Sequence, residues 1–434
     1  MILIYSPQIS SRLTYIARFL FSYILGIPVS VTSDIEEYRN YELPKLNYSD
    51  KNLDDITICP HKLLFERGIL TFKPDFATID GFPVLFHTQS SLSSLPFDPF
   101  AAAFFMISRY EEYQPDPTDH HNRALSTQSV AYRNGFLEIP VVDHWAIMLR
   151  KLIENYYPDF QFPERKYQFI PTIDVDLAFA YKYRGVLRTT GAILKSILTN
   201  DLKDNKRRFQ TLFLQQPDPY DTFDLLNDWH AQCHLDPRFF FLVGHYGRFD
   251  KNLPPFHHSI RDLIKRISNN YKVGIHPSYH SNYSEHSLKH EIDILHKITG
   301  RIITQSRQHY LILKFPDTHQ KLIQLGIKED YTMGYAHHPG FRAGTCTPFP
   351  FYDLAQETET SLMIYPFQVM DGTLNQYLKL SPLEAVEYIT RLNGEVRKVN
   401  GTFISLWHNE SLGEIHQWKN WREVYEALIK IASA

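Results

Sequence analysis

The chain has 434 residues and a formal net charge of −3, with 43% hydrophobic and 21% charged residues. This composition suits a globular protein of two or three domains and excludes a disordered tail, a collagen-like fibre and a coiled coil. Lys+Arg at 45 against Asp+Glu at 48 leaves no global positive field for nucleic acid or anionic lipid. Cys59, Cys233 and Cys346 lie far apart without a Cys-x-x-Cys pair, which argues against a disulfide framework or a cysteine zinc site and suits a reducing compartment. The opening residues lack the cationic segment and cleavage site of a secretory signal. The most apolar stretch, 19–31, is about 13 residues long and too short to span a bilayer. A cytoplasmic protein without a membrane span is the expectation.

In chain order, residues 2–5 read as a strand, 11–25 as an amphipathic helix and 29–32 as a strand, a βαβ opening. Further strand- or helix-like stretches follow at 100–113 and 143–157, with a polar, Pro-rich loop at 114–121 between them. Apolar periodicity stops around 158–166, which predicts domains at 1–160 and 165–434. No fixed-period repeat is visible, so solenoids and propellers are not expected. Beyond the boundary, strands near 169–175, 239–243, 272–275, 302–304, 363–366 and 402–407 alternate with helices at 220–234, 259–268 and 285–298. Such alternation predicts parallel strands with crossover helices, in an open doubly wound sheet or a barrel. In both, chemistry gathers where strands run out at their carboxyl ends.

That rule singles out few residues. Asp174 and Asp176 end the first of these strands and, two apart, point the same way. Paired carboxylates repel unless a cation or proton sits between them, so one could bind metal while the other acts as general base. A solvated surface pair and the Asp-x-Asp of sugar-nucleotide glycosyltransferases are the other readings. His276 and His280 follow the 272–275 strand, and Pro277 at a first helical position would set them one turn apart, a metal-ligand spacing. His230/His234 and His286/His290 share that spacing but fall inside predicted helices. His408 ends the 402–407 strand and is either a cap or a general acid for a leaving amine. Arg307 and Arg342 are each a surface salt bridge or a bidentate brace for Asp174. Asp371 is a turn former or the carboxylate that orients His408.

Taken in order, Thr172-Ile-Asp174-Val-Asp176, His276-Pro-Ser-Tyr-His280 and Ile404-Ser-Leu-Trp-His408 resemble motifs of the polysaccharide deacetylase (NodB-homology) family, over roughly 165–434. The resemblance implies a distorted, partly open (β/α) barrel that holds one divalent ion, commonly zinc, on an Asp and two His. It implies removal of N- or O-acetyl groups from a sugar or polysaccharide precursor. On the motif positions, Asp174 would be the base, Asp176, His276 and His280 the metal ligands, and His408 the acid. Arg307 would brace the base, with Arg342, Asp371 and His309 contacting substrate. Tyr279, Tyr310, Phe341 and Phe349 could stack on sugar rings. The Pro that follows the motif Arg and the Asp-Trp motif have no counterpart here. Residues 1–160 resemble an uncharacterised domain found ahead of deacetylase-like domains in bacterial proteins. A metal-dependent glycosyltransferase and an inactive glycan-binding scaffold stay open as alternatives.

Overall fold

The structure, a computed structural model, describes every residue except Pro115 and Asp116, so these two residues of the predicted 114–121 loop lie outside the described residues. The chain divides into two compact units, one of Met1–Gln168, Leu311–Gln368 and Arg391–Ile404, the other of Phe169–Tyr310, Val369–Thr390 and Ser405–Ala434. These are not the contiguous pieces 1–160 and 165–434 expected from the loss of periodicity.

In the first unit, the strand Ile2–Tyr5 is buried along its length and pairs in parallel with Val29–Thr32 and Lys45–Asn47. An all-apolar run with parallel neighbours on both sides is what such a central strand requires. The predicted 11–25 helix forms as an α-helix, Ser11–Arg18, followed by a π-helical turn, Phe19–Ile24. Ser10 caps it, its hydroxyl accepting from the Leu13 amide at 3.0 Å. The helix Pro99–Ile107 is buried at every position, and Asp98 caps it by accepting from the Phe100 and Ala101 amides.

Hydrogen bonds explain why 311–368 joins this unit. The Arg12 Nε donates to Glu357 Oε2 at 2.9 Å and the Tyr15 hydroxyl to the Pro350 carbonyl at 2.7 Å. Both acceptors belong to the antiparallel pair Phe349–Asp353 and Thr358–Ile364 or its turn. Buried Asp143 accepts from Arg165 Nη1 at 2.8 Å and from the Thr345 hydroxyl at 2.6 Å. Glu112 sits between two buried arginines, accepting from Arg109 Nε and Arg342 Nε at 2.9 Å each.

The Glu112 pair carries a stability prediction. Burial would raise the Glu112 carboxyl, but Arg342 and Arg109 outweigh it and hold it at about 2. A depressed folded-state value adds stability above the ordinary carboxylate range that is lost as pH falls towards about 2. Glu112→Gln leaves two guanidinium groups underpaired, destabilises by about 3–5 kcal/mol, and flattens this acid limb in melting temperature measured against pH.

The second unit contains all but the first residue of β1 (Gln168–Val175), β2 (Arg238–Phe241), β3 (Lys272–Ile275), β4 (Gln305–Ser306), β5 (Val369–Met370) and the second half of β6 (Thr402–His408). Their order is β4-β3-β2-β1-β6-β5. β1/β2, β2/β3, β3/β4 and β5/β6 pair in parallel. Helices α1 (Val186–Leu198), α2 (Leu202–Phe213) and α3 (Phe223–Gln232) lie between β1 and β2 in the chain. α4 (His258–Asn270) joins β2 to β3, and α5 (Glu285–Thr299) joins β3 to β4.

The predicted alternation is present, as a mixed α/β fold with parallel strands. No pairing among the described residues joins β5 back to β4, so the barrel is met only at the level of parallel strands with crossover helices. Two strands differ from expectation. The 302–304 strand forms instead at Gln305–Ser306, with Ile302 82% exposed, and 363–366 is the end of Thr358–Ile364 in the first unit. All three cysteines are free, with no disulfide.

Candidate metal centre

The carboxyl ends of β1, β3, β4 and β6 bring together most of the residues that the strand-end rule selects. Asp176, His276 and His309 present one ligand atom each, all within 4.8 Å of one another. His276 Nε2 lies 3.0 Å from Asp176 Oδ1, and His309 Nε2 lies 3.3 Å from Asp176 Oδ2.

The outer nitrogens of both rings decide what those atoms are. His276 Nδ1 lies 2.6 Å from the Arg307 carbonyl, which can only accept, so Nδ1 carries the proton. In the neutral ring, Nε2 then turns a lone pair towards Asp176 Oδ1, a buried oxygen with no hydrogen-bond donor. His309 Nδ1 lies 2.9 Å from Asp250 Oδ1, which fixes that ring in the same way. Two imidazole lone pairs and a carboxylate facing one another is an arrangement that a cation completes. Ligands about 2.1 Å from a zinc ion stand about 3.0–3.4 Å apart at tetrahedral to right angles, so the residues present fit such an ion. Without the ion, burial would lower the His309 imidazole, but Asp176 and Asp250 raise it to about 9. Burial would raise Asp176, and the histidines, His309 first, hold it well below the carboxylate range.

His280 does not join this group. It is exposed, at the start of the 3₁₀ turn His280–Asn282. The one-turn relation to His276 fails because no helix starts at Pro277. Buried Glu291 instead accepts from the Ser278 amide at 2.9 Å, the Ser278 hydroxyl at 2.6 Å and the Ser281 hydroxyl at 2.7 Å. That grip turns the chain at Ser278 and sends His280 outward. His309, expected to touch substrate, takes the third position. The residues after it, Tyr310 and Leu311, have φ of 61° and 57°, a left-handed backbone rare for such side chains and typical of functional turns.

Asp174 is buried beside the triad, its Oδ2 3.8 Å from His276 Nε2 and its Oδ1 3.5 Å from Arg307 Nη1. Arg307 is fully buried, its guanidinium 5.0 Å above the Phe240 ring. Gly274 is paired with Phe240 across β2/β3, and a Cβ there would lie 2.6 Å from that ring. The glycine makes room for the aromatic floor under the arginine.

His408 faces the triad from the end of β6, its Nε2 3.9 Å from Asp176 Oδ2. Asp371 is not a substrate contact. It is fully buried and bonds His408 twice, at the amide (2.8 Å) and at Nδ1 (2.8 Å). Burial disfavours charge on His408, but Asp371, with Asp176 and Asp174 beyond it, wins and raises the imidazole well above its ordinary value. Glu410, two residues on, is pushed up to about 7 by burial, opposed by His408.

Arg342 is not a substrate contact either. Buried in the first unit, it spends Nε and Nη2 on Glu112 and Nη1 on the Gly334 carbonyl. Phe341 and Phe349 are likewise core residues of that unit. Tyr279 and Tyr310 instead cluster with Phe249 in the second unit, with ring centroids 4.2–5.6 Å apart.

Asp250, Phe249 and Glu410 are not among the residues that the strand-end rule singles out. Asp250 and Phe249 lie on the loop after β2.

Residues 2–158 match a family model described as a family of unknown function (DUF7033). No curated protein matches the chain. Among solved structures, a protein from Mycobacterium smegmatis described as a polysaccharide deacetylase is similar at 15% identity and a TM-score of 0.37, over 62% of this chain and 86% of that one. A polysaccharide deacetylase from Bacillus cereus gives 14% identity and 0.31, over 61% and 86%. An allantoinase gives 9% identity and 0.36, over 60% and 83%. These likenesses concern the fold of part of the chain.

Proposed function

We propose that the protein is a metal-dependent hydrolase that removes an N- or O-acetyl group from a carbohydrate, with Asp176, His276 and His309 holding one divalent ion, zinc by its donor set. One observation carries the reading: two imidazoles, fixed from behind by a carbonyl and a carboxylate, turn Nε2 towards the same aspartate, Asp176, beside a second carboxylate, Asp174, and the His408 imidazole. The motif resemblance at Asp174, Asp176, His276 and His408 supports the substrate class. A glycosyltransferase reading would leave His276 and His309 without a role.

When bound, such an ion acidifies water and polarises the acyl carbonyl. The chain does the rest. Asp174, oriented by Arg307, takes the proton of the attacking water at a carboxylate oxygen. His408 enters protonated, with Nδ1–H fixed on Asp371, and delivers the Nε2 proton to the departing nitrogen or oxygen. Phe249, Tyr279 and Tyr310 offer ring faces to the apolar faces of a sugar.

The test is metal content by plasma mass spectrometry on protein purified without a histidine tag, together with acetate release from acetylated sugars. About one ion per chain, lost in His276→Ala with the circular dichroism spectrum retained, and acetate release that follows the ion, is the expected result. Equal metal in both proteins, or no ion after reconstitution, refutes the site.

A further inference from the structure

The pair of helices α1 and α2 is built inside out. In α1 the buried residue is Ser196, while Val186, Leu187, Leu194 and Leu198 are 79%, 89%, 61% and 85% exposed. In α2 the buried residues are Asp204, Arg208 and Thr211, while Leu202, Phe209 and Phe213 are 62%, 55% and 68% exposed. At 100° per residue, the exposed apolar positions of α1 fall on one continuous face. Arg188 and Lys195 lie on the opposite side. A helix packed on a globular core has the reverse arrangement.

The polar residues turned inward are the anchor. Asp204 accepts from the Tyr181 hydroxyl at 2.5 Å and from Arg208 Nη2 at 2.7 Å, and lies 3.5 Å from His416 Nε2. Asp218 accepts from the amides of Ala180, Tyr181 and Lys182 at 2.6–2.9 Å. The pair is therefore fastened at its polar side with its leucines and phenylalanines presented outward. Between the helices runs an apolar groove of about 690 Å³, with Ile193, Phe209, Leu212 and Phe213 on its walls and Arg184 and Arg208 at its polar side.

Charge selects the occupant. Residues 184–214 hold seven Lys or Arg against two Asp, in a chain whose formal net charge is −3. Self-association through this face would bring the same cations together across a two-fold axis, whereas an anionic surface complements them. Exposed leucines and phenylalanines flanked by lysines and arginines on short amphipathic helices are the combination that lies in the headgroup region of a bilayer.

We infer that the α1–α2 pair docks the second unit on an anionic lipid surface, its apolar face entering the acyl boundary and its basic residues meeting lipid phosphates. This is a mode of lying on a membrane rather than crossing it. No helix among the described residues is long and apolar enough to span one, and α1, about 20 Å long, falls short of a hydrocarbon core of about 30 Å. The pair follows β1, the strand that carries Asp174 and ends just before Asp176. The inference does not depend on the hydrolase reading.

The experiment is flotation of the full chain with phosphatidylcholine vesicles, pure or carrying about 30% phosphatidylglycerol. The expected result is salt-sensitive binding to the anionic vesicles only. Leu187→Glu/Leu198→Glu/Phe213→Glu, all at exposed positions, abolishes it with the melting temperature unchanged. Lys195→Gln/Lys203→Gln/Lys206→Gln weakens it by about 100-fold. The inference is overturned if the wild type stays unbound at low salt, if the triple-Glu variant floats equally well, or if sedimentation shows a dimer that this variant dissolves while vesicle binding is absent.

Discussion

His309→Ala removes the divalent ion and the hydrolytic activity, while His280→Ala leaves both intact. The prediction follows from where the two imidazoles point. His309 Nε2 is 3.3 Å from Asp176 Oδ2 and His280 is exposed outside the triad. Losing a ligand from a three-residue site removes a donor outright, so metal affinity falls by more than the 10- to 100-fold typical of outer partners. Asp250→Asn supplies that smaller loss as an internal scale. It keeps the shape behind His309 and removes the carboxylate that fixes its Nδ1 proton. Dialysis against a graded chelator with metal read by mass spectrometry orders the variants: wild type and His280→Ala tightest, Asp250→Asn weaker, His309→Ala empty. If His280→Ala loses the ion and His309→Ala keeps it, the turn drawn by Glu291 is wrong and a helical His276/His280 pair replaces it.

That contrast shows what spacing along a chain can and cannot reveal. Asp174 and Asp176 are legible because a strand has one geometry, and residues two apart on it share a face wherever the strand sits. His408 is legible for the same reason, at the end of an apolar run buried from Thr402 to Trp407. The His276–His280 spacing is informative only if a helix begins at Pro277. Whether it does depends on Glu291, 13 positions beyond Ser278 in the chain, reaching back to Ser278 and Ser281. A tertiary contact of that kind leaves no local periodicity.

Arg342 fails similarly. Its surroundings resemble the bracing motif, yet its partner Glu112 is 230 residues away in the chain. The fold divides along the same line. Alternation of strands and helices shows parallel strands, but not that 311–368 packs with the N-terminal segment, because Arg12–Glu357 and Asp143–Thr345 are long-range pairs. The amphipathic period of α1 and α2 is local in the sequence, but the direction in which its apolar side faces is set by tertiary contacts such as Tyr181–Asp204.

His408→Ala lowers kcat for acetamido substrates by about 10²–10⁴-fold, the range of a lost general acid, without changing metal content. In the proposed mechanism Nε2 of His408, 3.9 Å from Asp176 Oδ2, supplies the proton, and Asp371 favours its charged form. The prediction sharpens when the leaving group is varied. An amine must be protonated to depart, whereas a nitrophenolate leaves without help, so an aryl acetate suffers far less from the same substitution. Asp371→Asn keeps the ring in place through Nδ1–H and the His408 amide but withdraws the charge that favours imidazolium. Its loss is therefore smaller than that of His408→Ala, with the same dependence on leaving group. Equal losses for amide and aryl ester in His408→Ala, with the ion still bound, would show that the imidazole orients substrate rather than delivering a proton. Loss of the ion itself would place His408 among the ligands, beyond the group of Asp176, His276 and His309.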